Sequence, residues 1–331
     1  MSTYRSSSVR NTVFSGSDAS QSAAQASPSA VVRPQNRNKL MAFIALTKPR
    51  VIELLLVTTA PVMFLAAQGL PSLVLVAATL IGGAAAAASA SVFNCLIDRD
   101  VDAKMHRTES RPLVTGEVTA RQALIFAFAL GLGSIFWLGG FTNWVAAGLT
   151  AMAILLYVVF YTIVLKRHTT QNIVWGGIAG CMPVLIGWSA VTGGLSWEAL
   201  ILFLVVFFWT PPHYWPLAIK YKSDYDAAGI PMLPSKVPPK NVSTQILVYT
   251  VVMLLTSFAL IPIAPMGIAY SGVAVGAGIW FLAECIGLHR RAAAGRIGSE
   301  LKAMRVFHAS ITYLSLLFLA VAIDPFIPAL L

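Results

Sequence analysis

The sequence predicts an all-α membrane protein of nine transmembrane helices, its N-terminus cytoplasmic and its C-terminus periplasmic. Three observations carry that expectation. Of 331 residues, 57% are hydrophobic and 11% charged, with a mean hydropathy of +0.75, whereas a soluble domain carries roughly 25% charged residues. The apolar residues come in runs of about 20, the length that crosses a bilayer at ~1.5 Å per residue. Lys and Arg gather at every second join between these runs, as the positive-inside rule requires.

The first run, 47–67, opens on Lys48-Pro49-Arg50 and stops before Gly69-Leu70-Pro71. The second, 73–97, contains Gly82, Gly83 and the alanines 84–88, small residues that let helices approach closely, and a packing face is what they predict. The third, 119–139, is opened by Arg121 and closed by Gly139-Gly140; the fourth, 144–165, ends at Lys166-Arg167. The fifth, 173–192, stops at Gly193-Gly194, and the sixth, 197–218, at Lys220 and Lys222. The seventh, 243–264, meets a turn from Pro262 to Gly267. The eighth, 269–288, is followed by Arg290 and Arg291, and the ninth, 306–329, completes the set.

Orientation follows from the joins. Basic residues lie before the first run (Arg33, Arg37, Lys39), after the second (Arg99, Lys104, Arg107, Arg111) and after the fourth. They recur after the sixth (Lys220, Lys222, Lys236, Lys240) and the eighth (Arg290, Arg291, Arg296, Lys302, Arg305). The other four joins contain no Lys or Arg. Residues 1–38 are a Ser- and Ala-rich segment with Asp18 as their only acid, and they read as a disordered tail before a nine-helix domain at 39–331. Arg5, Arg10, Arg33 and Arg37 give the tail a faint transit-peptide character. The rest is compact for an organellar protein, so a bacterial inner membrane is expected rather than a mitochondrial one.

The net charge of +10 does not point to nucleic acid, because the basic residues cap apolar runs instead of forming one amphipathic face. The partner that this pattern implies is membrane lipid. Cys95, Cys181 and Cys285 form no CxxC pair, which leaves a disulfide framework or thiolate metal site unsupported and predicts buried thiols. No Walker A loop is present.

Chemistry concentrates in two places. Asn94, Asp98 and Asp102 follow one another at i, i+4 and i+8, which places them on one helical face. Two carboxylates and an amide so spaced can hold Mg²⁺, a hard cation that keeps waters and phosphate oxygens in its shell. A solvated acidic helix end explains the spacing alone equally well. Arg107 and Arg111 follow at once, and beside these acids they could grip a diphosphate through charge-assisted forks.

The second constellation runs from Trp209 to Asp226. On a continuing helix His213, Lys220 and Asp224 would share a face, Asp224 taking metal and Lys220 diphosphate; a local Asp224–Lys220 ion pair is the plainer alternative. Pro211 and Pro212 are expected to break or kink the helix, and Asp226 to be peripheral. Glu53 and Asp324 are expected near interfaces, and Glu284 beside a basic loop residue.

At these residues the chain resembles the intramembrane prenyltransferase superfamily, and most closely its haem farnesyltransferase branch. The resemblance rests on Asn94, Asp98 and Asp102 continuing to Met105, Arg107-Thr108 and Arg111-Pro112-Leu113. It extends to Leu46 through Val51, to Tyr161-Thr162 with Leu165-Lys166-Arg167, and to Asn172-Ile173-Val174 with Gly176-Gly177. Its strongest marker is Pro212-His213-Tyr214-Trp215 leading to Asp224-Tyr225 and to Ala228 through Pro234. Together these cover roughly residues 40–325.

The resemblance implies nine helices around a central cavity. It also implies a reaction in which farnesyl diphosphate alkylates a vinyl group of protoheme IX and water completes the substituent, yielding haem O and diphosphate. Haem A synthase or a terminal oxidase assembly factor would be partners for such a product. The implied cofactor is Mg²⁺, bound by Asn94, Asp98, Asp102 and Asp224. Arg107, Arg111, Lys166, Lys220, Tyr161 and His213 would complete a cytoplasmic substrate site. One departure is that the second motif offers a single well-placed acid after a lysine, which puts the number of metals in doubt. A prenyltransferase for an aromatic acid or quinone precursor is the alternative within the class. A transporter fits less well, since the acids sit at helix ends and no internal halves are evident.

Overall fold

The computed structural model describes residues 38–264 and 266–327, and every regular element among them is helical. The expected tail lies outside the described residues apart from Asn38, whose side chain accepts from the Met41 amide and caps the first helix. That helix, α1 (Lys39–Thr47), is too short for hydropathy to reveal. Lys48 separates it from α2 (Pro49–Ala67) in a left-handed conformation, φ +54°, which costs a non-glycine residue about 1–2 kcal/mol. Pro49 then occupies the first position of α2, where its missing N–H costs nothing.

The chain continues through α3 (Leu73–Ile97), α4 (Arg99–Asp102), α5 (Pro112–Thr115), α6 (Ala120–Phe141) and α7 (Trp144–Leu155). It then forms α8 (Asn172–Thr192), α9 (Trp197–Lys220), α10 (Lys222–Ala227), α11 (Leu233–Lys236), α12 (Pro239–Ile263), α13 (Ile268–Ala293) and α14 (Ala303–Ile323). Nine of these match the nine apolar runs. Eight are long and apolar enough to cross a membrane, counting α7 with its continuation to Leu165, while α2 contributes the shorter run Leu56–Ala67. Leu132, Phe136, Leu255, Ile279 and Leu319 are all more than half exposed on these helices. Such outward apolar side chains on fully hydrogen-bonded helices suit lipid and not water. The chain is a multi-pass membrane protein.

Helices α2, α8, α9 and α14 contact one another in a ring, flanked by α3, α6 and α7 on one side and by α12 and α13 on the other. Small residues set several of these contacts. A Cβ at Gly82 would strike Leu138 of α6, and one at Gly187 would strike the Thr59 carbonyl of α2. The 84–88 alanines and their neighbours divide their work, however. Gly82 packs, whereas Gly83, Ala86, Ala87 and Ala90 line an apolar cavity enclosed by α2, α3, α7 and α8. A packing face alone was expected there, and the structure corrects this. Its physical reason is that both sides of a helix can be small when one faces a helix and the other a void.

Three further departures matter. First, α9 is not interrupted by Pro211 and Pro212; with Pro216 they are buried inside a continuous helix. Packed neighbours stabilise a helix that lacks some donors. Second, the helical face expected to align His213, Lys220 and Asp224 is broken at Tyr221 (φ −103°, ψ 26°), where α9 gives way to α10. Third, α7 runs on as a π-helical stretch, Leu156–Leu165, a wider winding that recurs at functional sites. At its end the Lys166 amide bonds to the Tyr161 carbonyl at 2.8 Å.

The three cysteines are buried and free, as expected. Glu284 pairs with Arg305 at 2.6 Å. Asp324 accepts from the Gly267 and Tyr270 amides at 2.5 and 3.0 Å, so it caps the start of α13 from a distant part of the chain.

Candidate active site

Backbone bonds run from the Asp98 amide to the Asn94 carbonyl (2.9 Å) and from the Asp102 amide to the Asp98 carbonyl (2.8 Å). The helical spacing of the first motif therefore survives the α3–α4 junction. All three side chains are buried, Asp98 at 0% exposure and Asp102 at 2%. Buried carboxylates need partners, and each finds a cation from a different join. Lys166 Nζ, delivered by the π-helical segment, donates to Asp98 Oδ2. Arg111 Nη1 donates to Asp102 Oδ2 at 2.5 Å.

Asn94 is held on both sides. Its Nδ2 donates to Asp98 Oδ2 at 2.7 Å and to Thr162 Oγ1 at 3.2 Å, while its Oδ1 accepts from Lys48 Nζ at 2.6 Å. Oδ1 is thus already taken, and in this arrangement Asn94 orients Asp98. Arg167 fastens the outer edge with bonds of 2.8 and 3.0 Å to Asp100 and one of 3.0 Å to the Ile97 carbonyl. These bonds hold the Asp100 carboxyl below its ordinary range.

The second motif meets the first through the backbone. The Arg107 amide donates to Asp224 Oδ2 at 3.3 Å, a bond between motifs in place of the Asp224–Lys220 ion pair that was the plainer alternative. The Arg107 guanidinium and the Lys220 ammonium each lie 5.3 Å from the Tyr221 ring centroid, within cation–π range. Tyr214 of α9 and Tyr225 of α10 share a 3.1 Å hydroxyl contact. Asp226 is exposed and peripheral, as expected.

Below this polar cap, Tyr161 is buried and its ring lies where a Cβ on Gly176 would stand. Tyr157 tilts against it, 5.4 Å between centroids, and also lines the apolar cavity. Along α3 the lining runs from Thr79 to Ser91, roughly 18 Å, and ends one turn from Asn94. His213 stands apart from the acids. It stacks between Trp209 (4.1 Å, 14°) and Phe307 (4.7 Å, 26°), and its Nδ1 is 2.9 Å from Ser310 Oγ of α14.

The structure thus unites Asn94, Asp98, Asp102, Arg111 and Lys166, brings Asp224 and Arg107 together with Lys220 beside Arg107 on the Tyr221 ring, and leaves His213 apart. Sequence reading did not place Lys48, Tyr157, Thr162 or Arg167 in the site. Lys48 carried a signal, a cation directly before a helix-opening proline; Thr162 and Arg167 lay in segments of the resemblance without a role, and Tyr157 sits in an apolar run where nothing distinguishes it.

The donor set suits a hard cation. Oδ1 of Asp102 and Oδ1 of Asp224 have no hydrogen-bond partner among the described residues, and Asp98 Oδ1 has only a 3.5 Å contact with Arg167. No cluster of three or more His, Cys, Asp or Glu close enough to enclose a metal occurs among the described residues.

A helical bundle that holds acids and cations over an apolar cavity defines a membrane-embedded enzyme for an amphiphilic, charged substrate. The chain belongs to the UbiA prenyltransferase family, whose model matches residues 55–323. It is 58% identical over 290 residues to a protein of Leifsonia xyli subsp. xyli named protoheme IX farnesyltransferase, covering 88% of this chain and 94% of that one. It is 56% identical over 291 residues to one of the same name from Renibacterium salmoninarum, covering 87% and 91%. Among solved structures it is similar to digeranylgeranylglyceryl phosphate synthase, with TM-score 0.71 and 17% identity over 87% of this chain and 99% of that one. It is also similar to a UbiA homolog from Archaeoglobus fulgidus bound to DMAPP and Mg²⁺, with TM-score 0.60 and 16% identity over 85% and 99%. At those identities the structural likeness establishes the fold.

Proposed function

We propose that this protein transfers the farnesyl group of farnesyl diphosphate to a vinyl group of protoheme IX, giving haem O and diphosphate. The observation that carries the reading is the buried Asn94–Asp98–Asp102 ladder and its cations, set one turn above an apolar cavity, in a chain more than half identical to proteins named for this activity. In this reading the diphosphate sits in the cap and the isoprenoid tail in the cavity.

The C1–O bond of the donor breaks and its electron pair leaves with the diphosphate. The vinyl π electrons form the new bond to C1. Water then adds to the electron-poor carbon that remains and releases a proton. Lys166, Arg111, Arg107 and Lys220 stabilise the charge growing on the leaving group, which is where fixed cations lower a barrier most. Asn94 keeps Asp98 in place, Tyr161 borders the reacting carbon, and His213 holds the acceptor. Asp98, Asp102 and Asp224 would hold Mg²⁺, with Asn94 joining only when Lys48 releases its Oδ1. Bound there, the metal supplies Lewis-acid stabilisation of the leaving diphosphate.

We take residues 39–331 as the catalytic domain. The segregation of Lys and Arg to the joins around the cap supports a cytoplasmic site in a bacterial inner membrane. To test the reaction, purified protein in detergent is incubated with protoheme IX, farnesyl diphosphate and Mg²⁺, and extracted haem is weighed by mass spectrometry. A farnesylated, hydrated haem that disappears with a chelator is expected. Unchanged haem beside a prenylated aromatic acid in a parallel tube would overturn the substrate.

A further inference from the structure

The apolar cavity below the acid cap is open along its course and closed at its far end. Along the course the helices stand apart: a Cβ on Gly83 of α3 or on Gly180 of α8, both lining residues, would meet nothing within 4 Å. The lining residues farthest from the cap are Thr79 on α3 and Ile186 on α8. There the walls come together. Trp137 of α6 donates its indole N–H to the Ala78 carbonyl at 2.9 Å, and a Cβ on Gly82 would stand 2.6 Å from Leu138. On the opposite wall a Cβ on Gly187 would stand 2.8 Å from the Thr59 carbonyl and 3.4 Å from Met63.

The end is solid as well as narrow. Ile186 belongs to a packed cluster with Met63, Leu138 and Met182, all of them buried. Thr79 is 0% exposed, and its hydroxyl is tied to the Leu75 carbonyl at 2.8 Å. Interiors packed in this way do not take extra methylenes without strain. The course from Ser91 to Thr79 is roughly 18 Å, and a contact distance of about 4 Å at the closed end leaves roughly 14 Å. With C–C bonds of about 1.5 Å and near-tetrahedral angles, an extended farnesyl main chain spans roughly 14 Å and a geranylgeranyl one roughly 19 Å. The first fits and the second overruns.

We infer that Ile186 and Thr79 set the length of the isoprenoid donor, acting as the stop against which the farnesyl terminus rests. This rests on the reading of the cavity as the place of the tail. The experiment measures kcat/KM of the full chain in detergent, with protoheme and with geranyl, farnesyl or geranylgeranyl diphosphate. In parallel, geranyl, farnesyl and geranylgeranyl thiodiphosphates compete with radiolabelled farnesyl thiodiphosphate for binding, which needs no turnover. Wild type should disfavour the geranylgeranyl donor by roughly 100-fold, within the range that a misfitted methylene reaches in an apolar pocket. Ile186→Ala should narrow that gap by about tenfold in both measurements, and Thr79→Ile should move preference from farnesyl toward geranyl by a similar factor. Damage to the fold alone would weaken all donors together and leave their ratios unmoved. Ratios unchanged in both variants would overturn the stop, while farnesylated haem from wild type would leave the reaction standing. Wild type that neither binds nor turns over a farnesyl donor would overturn both.

Discussion

Asp98→Asn keeps the shape of a side chain and removes its charge. Asp98 is fully buried, and its partner Lys166 has a side chain only 13% exposed. The substitution therefore strands an almost dry ammonium. Opening one side of such a pair costs about 3–5 kcal/mol. Asp100→Asn makes a useful contrast, because the Asp100–Arg167 pair is 60% and 34% exposed and such pairs contribute about 0–1 kcal/mol. A second change separates structure from chemistry. Asp98→Asn combined with Lys166→Met leaves no charge unpaired, so most of the lost stability should return. Turnover should not return, because the carboxylate is needed to hold the metal and the ammonium to meet the diphosphate. Unfolding in micelles followed by tryptophan fluorescence gives the first quantity, and mass spectrometry of extracted haem gives the second. Turnover regained by the double variant would refute the role given to Asp98 and reduce it to a counter-ion.

Other expectations follow from single contacts. A side chain at Gly83 points into open space beside the cavity, so Gly83→Leu should shift preference from farnesyl to geranyl diphosphate in a competition assay; unchanged preference would place the tail elsewhere. Gly176→Ala pushes a methyl into the Tyr161 ring, and overpacking of that kind costs about 1–3 kcal/mol. Here it should appear chiefly as a lower kcat, with KM for protoheme as the control. Asp324→Ala leaves the Gly267 and Tyr270 amides uncapped. It should lower unfolding stability by about 1–3 kcal/mol while turnover at low temperature stays near wild type.

The long helices were legible because a bilayer imposes both a length and an apolar composition, and the basic joins imposed the alternation. What escaped was short or local: α1, the left-handed Lys48 and the π-helical stretch leave no hydropathy signature. The first motif was legible because i, i+4 spacing is a property of one helix. Its partners were not, since Lys166 stands 68 positions from Asp98 and Lys48 stands 46 from Asn94. The line drawn through His213, Lys220 and Asp224 assumed an unbroken helix, and the turn at Tyr221 undoes it. His213 instead owes its place to Ser310, 97 positions away, which no spacing rule reaches.

The most direct test of the acid cap as a metal–diphosphate site uses Mn²⁺ in place of Mg²⁺ with a non-cleavable farnesyl thiodiphosphate. Electron–nuclear double resonance then reads phosphorus coupling to the manganese. The account predicts a strong coupling in wild type that is lost in Asp98→Asn and Asp102→Asn. A coupling unchanged in both variants would contradict it.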